Sequence, residues 1–246
     1  MGLKYTEGHD VKYYECDFTR NMTLPMLISV LIHAVEMQEN SVTDPSILSN
    51  KQLGWIITQY TLDIKRLPKQ NEYVFVTTEA ESYNKYFCYR DFWLHDQQGN
   101  ELVVMKSSFA LMNLQNRKIV PITSDVIDVY QAEKVAKTKR FPKVEQLQQN
   151  SNCKKYQVRY FDLDGNKHVN NAKYFDWIMD VLPRDFLENY EPQFVNIQFE
   201  KEVNYGEVIN SFFELEYDNL LSRHIIKSKD HEGDCASAQI SWRKKG

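Results

Sequence analysis

The chain has 246 residues, 42% hydrophobic and 26% charged, with a formal net charge of −4. This is the composition of a globular protein with room for one large domain or two small ones, and its interleaved charges offer no electrostatic footprint for nucleic acid. Its eight glycines exclude more. None has the spacing of a phosphate-cradling P-loop, a dinucleotide fingerprint or a G-x-S-x-G nucleophile elbow, so nucleotide chemistry by those routes and α/β-hydrolase chemistry fall away.

Residues 1–10 are polar and show no secretory leader. Stretches rich in Tyr, Phe, Val, Ile and Thr then predict a strand at 11–18 and, further on, strands at 55–66, 72–82, 86–95 and 101–113. Between the first two lies a predicted helix over 23–41, opened by Thr23 and Pro25 and carrying Leu27, Leu31 and Val35. Residues 115–152 are charged and Gln-rich, contain Pro121 and Pro142, and read as a linker with room for one helix. A second set follows: strands at 155–161, 194–203, 208–217, 223–228 and 235–243, with a helix over 170–182 that Pro183 interrupts. The last strand alternates strictly, Ala236, Ala238, Ile240 and Trp242 against Cys235, Ser237, Gln239 and Ser241, as a half-buried antiparallel strand should.

Neither helix has a broad polar face, and an apolar helix in a β-rich chain must be enclosed by a curved sheet. His33, within the first helix, reads as a core histidine, whereas His9, His95, His224 and His231 lie in polar or turn contexts. The order of strand, helix and four strands occurs twice, which makes duplication the economical reading. Residues 17–23 can be laid on 162–168, setting Thr19 against Asp164 and Thr23 against His168, and 59–64 on 198–203. The expected organisation is 1–114, a linker at 115–152, and 153–246.

Cys16, Cys88, Cys153 and Cys235 are widely separated, without a C-x-x-C or a histidine at metal spacing. They read as reduced thiols in a cytoplasmic protein. The longest apolar stretch, 24–35, is too short to span a membrane.

The densest polar cluster is 161–171, just before the second helix. If it is extended, Asp164, Asn166 and His168 share one side, and the following helix start offers backbone N–H groups to an oxyanion. The same composition also suits a plain turn with a helix cap. A calcium loop is disfavoured, since Lys167 and Lys173 stand where that loop needs Gly and Glu.

Asp164, Asn166, His168, Val169, Asn170, Asn171, Lys173, Tyr174 and Trp177 together resemble the D-x-N-x-H-V-N-N-x-K-Y-x-x-W signature of the acyl-[acyl carrier protein] thioesterases, the plant plastid and bacterial fatty-acid chain terminators. Arg90-Asp91 falls where that family has Arg-Asp-Trp, with Phe92 in place of Trp. The resemblance implies an α+β tandem (double) hotdog fold and hydrolysis of acyl carrier protein thioesters without cofactor or metal. It implies catalytic roles for Asp164, Asn166, His168 and a glutamate that alignment makes Glu202, with Glu200 two residues away. The plant enzymes carry Cys directly after this Glu. Here Val203 stands there, so water delivered by carboxylate and imidazole, not a thiolate, is the expected nucleophile.

On this reading Glu202 and His168 activate water, Asn166 hydrogen-bonds in the site, and Asp164 is either a fixing group or the base. The first half supplies an acyl tunnel from Leu27, Leu31, Val35, Trp55 and Ile57, which could equally be plain core. The implied partner is acyl carrier protein with its phosphopantetheine-linked acyl chain, docking on Lys65, Arg66 and Lys69 or on the linker lysines, with the chain a monomer or homodimer. Coenzyme A as carrier, hydroxyacyl dehydration and non-catalytic acyl binding are the alternatives. Acyl length stays open.

Overall fold

The computed structural model describes residues 2–44, 46–147, 152–230 and 232–245. The chain divides into two compact units, Met1–Phe141 and Pro142–Gly246. In the first, β1 (Lys4–Asp10) leads to α1 (Leu24–Val42) and the short α2 (Ser46–Asn50). Four long strands follow: β2 (Leu53–Ile64), β3 (Tyr73–Tyr83), β4 (Phe87–Asp96) and β5 (Glu101–Asn113). These form an antiparallel sheet in the order β1-β3-β4-β5-β2. Within the stretch expected as linker, β6 (Lys118–Val120) pairs with β5, α3 (Ser124–Ile127) follows, and β7 (Glu133–Lys134) runs parallel to β3.

The second unit repeats the scheme with β8 (Asn152–Gln157), α4 (Lys173–Asp180), α5 (Arg184–Asn189), β9 (Tyr190–Phe199), β10 (Val208–Glu216), β11 (Leu221–Ser228) and β12 (Ala236–Lys244). Its sheet order is β8-β10-β11-β12-β9, again antiparallel. Strand for strand, this is the order of the first unit. Among the described residues no helix is long and apolar enough to cross a membrane.

The first strand of each set lies earlier than predicted. Tyr13–Glu15 and Tyr160–Asp162 form single 3-10 turns instead of strand. In each turn the closing carboxylate reaches back to the capping backbone: Glu15 accepts the Lys12 N–H and Asp162 the Arg159 N–H, both at 2.8 Å. This capping overrides the β preference of the aromatic pairs Tyr13-Tyr14 and Tyr160-Phe161, which remain exposed.

α1 is not enclosed on all sides. Leu24, Leu27, Ile28, Leu31, Ala34 and Gln38 form a buried face against β1 and β3, and His33, Glu36 and Met37 are exposed. His33 is therefore a surface residue facing Glu36 at 3.7 Å. Among the described residues the buried histidine is His224 on β11, 1% exposed. His231 lies outside the described residues.

β12 buries Ala236, Ala238, Ile240 and Trp242 as its alternation predicts. Ser237 on the other face is buried too, so both faces of the strand are covered at that point.

Candidate active site

The polar cluster before α4 is a tight hairpin, not an extended segment. The Asp164 N–H donates to the His168 carbonyl at 2.8 Å and the Lys167 N–H to the Asp164 carbonyl at 3.0 Å, while Leu163 pairs with Val169. Lys167 takes the left-handed conformation, φ 68°, which closes a three-residue loop with a bulge. For a non-glycine residue that conformation costs roughly 1–2 kcal/mol. The Asp164 side chain helps to hold it, its Oδ1 accepting the Asn166 N–H at 2.8 Å. Asp164 and His168 thus meet as the paired ends of a loop, with Asn166 exposed between them.

Glu202 comes from a second segment. The Val169 N–H donates to the Val203 carbonyl at 3.0 Å and His168 pairs with Asn204, so residues 202–204 run beside the hairpin. This sets Glu202 Oε2 3.5 Å from His168 Nε2, both side chains partly exposed. A pair so placed contributes at most about 1 kcal/mol to stability. It is well suited to share a proton with a bound water.

β9 ends at Phe199, short of the predicted 203, because the Glu200 and Lys201 amides both converge on the Cys235 carbonyl, at 2.9 and 3.2 Å. Glu200 has Asp234 and Lys201 as its charged neighbours, and desolvation followed by Asp234 raises its carboxyl. The glutamate brought to His168 is Glu202.

α4 starts at Lys173, three residues later than predicted, and Asn170 engages two of the amides at its start. Asn170 Oδ1 accepts the Ala172 N–H at 2.9 Å and its carbonyl the Lys173 N–H at 2.8 Å. Those two N–H groups are not donors for an oxyanion. Cys235 lies close by but is buried, and burial foremost pushes its thiol up, holding it protonated and unreactive. All four cysteines are free thiols.

The first unit contains the same hairpin in a different register from the one predicted. The Asp17 N–H donates to the Asn21 carbonyl at 2.9 Å, the Arg20 N–H to the Asp17 carbonyl at 2.9 Å, and Arg20 has φ 66°. Asp17 is therefore the counterpart of Asp164, Thr19 of Asn166 and Asn21 of His168. The Thr19 hydroxyl donates to Asp17 at 2.6 Å and the Asn21 amide to Thr19 at 3.0 Å. An amide stands there in place of the imidazole.

Leu27 and Leu31 are fully buried on the inner face of α1, whereas Val35, Trp55 and Ile57 are half-buried, the last two on β2 ahead of a bulge at Ile57/Gln59. Of the expected docking cations, Lys65 pairs with Glu101 at 2.9 Å, and Arg66 pairs with Glu72 at 2.6 Å and reaches Asp96 at 3.4 Å. Lys139 in the linker stretch pairs with Glu81. Among the described residues there is no cluster of three or more His, Cys, Asp or Glu of metal-binding form. Sequence reasoning passed over Glu207 and set His224 in a polar or turn context, whereas Glu207 is buried and His224 is a buried residue of β11.

Two like antiparallel sheets, each with its helix, and a histidine-bearing hairpin on the second alone define a tandem hotdog protein of the α+β class. The solved structures agree. A Lactobacillus plantarum protein provisionally named an oleoyl thioesterase matches at 34% identity and TM-score 0.94, over 100% of this chain and 98% of that one. The 12:0-ACP thioesterase from Umbellularia californica shares the fold at 20% identity and TM-score 0.87, over 100% and 99%.

The family models for the acyl-ACP thioesterase N-terminal domain and the acyl-ACP thioesterase C-terminal domain match residues 2–130 and 145–244. The chain belongs to the acyl-ACP thioesterase family. Oleoyl-acyl carrier protein thioesterase 1 of Arabidopsis thaliana, a chloroplast protein, is 24% identical over 230 residues, 85% of this chain. The chain spans 63% of that relative's length.

Proposed function

We propose that this chain hydrolyses fatty acyl thioesters held on the phosphopantetheine arm of acyl carrier protein, releasing free fatty acid and the carrier's thiol and so ending chain elongation. The observation that carries the reading is the His168–Glu202 pair, 3.5 Å apart beside the Asp164–His168 hairpin. Membership of the family and the names of the relatives support the choice of carrier. The four free thiols suit a cytoplasmic enzyme.

Water lies between His168 and Glu202, which take up its proton as its oxygen attacks the thioester carbonyl. The tetrahedral oxyanion collapses and the C–S bond breaks. The proton passes from His168 to the departing sulfur, so one water and one thioester become one acid and one thiol. A thioester has a good leaving group and weak carbonyl resonance, and general acid–base assistance of about 10²–10⁴-fold is enough for it. Asn166 hydrogen-bonds to the reacting acyl group. Asp164 acts by holding the hairpin, since one of its oxygens is already engaged by the Asn166 amide. The first unit houses the acyl chain along Val35, Trp55 and Ile57, backed by Leu27 and Leu31.

The test is to incubate purified protein with acyl-carrier-protein and acyl-coenzyme A thioesters of graded length and to follow free thiol. Faster release from the carrier-protein series is expected. Acyl binding without thiol release would overturn the enzymatic reading, and release from coenzyme A alone would overturn the choice of carrier.

A further inference from the structure

Glu207 is buried beside the candidate site and has no part in the chemistry above. Its Oε1 accepts the Asn204 backbone N–H at 3.0 Å and the Asn204 side-chain amide at 2.7 Å, and its Oε2 accepts the Ser228 hydroxyl at 2.6 Å. Its own carbonyl takes the Val158 N–H at 2.9 Å. A buried carboxylate is costly unless its lone pairs are used, and here three donors from two segments use them. Asn204 is the residue whose backbone pairs with His168, and Val203, before it, accepts the Val169 N–H.

Tyr174, a buried residue of the α4 signature, lies beside Val203 of the same segment. Its ring is fixed edge-on to Phe199 at 5.2 Å and tilted against Trp177 at 5.5 Å. Residues 203 and 204 are thus tied to the second unit's core and to the hairpin. Glu202, which faces His168, is the next residue along.

We infer that Glu207 is a positioning residue: by tying down Asn204 it sets the separation of Glu202 from His168. The inference rests on the reading of His168 and Glu202 as the proton-handling pair. The first unit provides an internal control, because Glu72 there accepts the Lys69 N–H at 2.9 Å in the matching place but serves no imidazole.

Glu207→Gln can keep an acceptor toward Asn204 and donate to Ser228 through its amide, so a role exerted by geometry survives it. Glu207→Ala removes the tie. Misplacement of a reacting group by about 1 Å can cost about 100-fold. On folded Glu207→Ala, kcat should fall about 10–100-fold with KM nearly unchanged, and the His168 midpoint followed by NMR should drop as Glu202 moves away. Glu207→Gln should stay within about 3-fold of wild type, and Glu72→Ala should leave both kcat and the His168 midpoint unchanged.

If Glu207→Ala does not fold, Asn204→Ala removes one tie and should give a smaller fall in kcat with the same direction of midpoint shift. Wild-type kcat and midpoint in the folded variant would overturn the inference, as would equal loss in the Gln and Ala variants. His168→Ala, assayed alongside, separates the two levels. Full turnover there overturns the reading of the pair and the inference with it, whereas an inactive His168→Ala beside an unaffected Glu207→Ala overturns the positioning role alone.

Discussion

Being buried, His224 makes the second unit sensitive to acid. It is fully enclosed on β11, its Nε2 2.8 Å from the Ser222 hydroxyl, which also accepts the Trp242 indole N–H at 2.8 Å. Its Nδ1 has no partner among the described residues, and its ring stacks on Phe213 at 6.4 Å. Burial pushes its pKa down to about 3, whereas histidine in an unfolded chain titrates near about 6.5. As pH falls below the unfolded value, the unfolded chain takes up a proton that the folded chain refuses, so stability is full above that value and is lost progressively down to the folded one. Between pH ~7.5 and ~5 the loss from this one group is about 2 kcal/mol, at about 1.36 kcal/mol per unit of separation.

The perturbation is His224→Phe, which removes the titration, keeps an aromatic ring beside Phe213 and leaves Ser222 to accept from Trp242. Urea unfolding of both proteins at the two pH values is the assay, and comparing the two losses cancels every other titrating group. Wild type should lose about 2 kcal/mol more than the variant. Equal losses would refute the assignment of His224 as a buried neutral imidazole.

Four further outcomes are expected. His168→Ala and Glu202→Gln should each lower kcat by about 100-fold or more with little change in Tm, measured by thiol release and thermal unfolding, because the pair is partly exposed. Asp164→Asn should keep most activity and Asp164→Ala should not, since Asn can still accept the Asn166 N–H; a hundred-fold loss in the Asn variant would instead make Asp164 the base. Asn170→Ala should cost about 1 kcal/mol in chemical unfolding by stripping the cap from the Ala172 amide. Val35→Phe should shift the preferred acyl chain shorter by one or two carbons in a product profile, the residue being half-buried on α1.

The hairpin duplicated in the two units explains where residue reading succeeded and where it slipped. The two sets of strands, the helix in each, and the cluster around Asp164 and His168 were legible because they rest on local signals: β-branched and aromatic runs, alternation along β12, and turn composition. The register between the halves was not. Tyr13-Tyr14 and Tyr160-Phe161 look like strand, but the carboxylates of Glu15 and Asp162 bond back to the chain and turn them into 3-10 corners. The true match is therefore Asn21 with His168.

Sequence by itself determined the kinds of chemistry available: a histidine, two carboxylates and an amide close to one helix, with no glycine framework for a phosphate. Only the tertiary structure decided which groups meet. Glu202 faces His168 because the Glu200 and Lys201 amides converge on one carbonyl of the neighbouring strand and end β9 early. His33 is exposed on the side of α1 that also carries Glu36 and Met37, whereas His224 is buried opposite Phe213 of β10 and Ala238 of β12. Burial and juxtaposition depend on residues distant in the chain, so no local pattern around a histidine or a glutamate carries them.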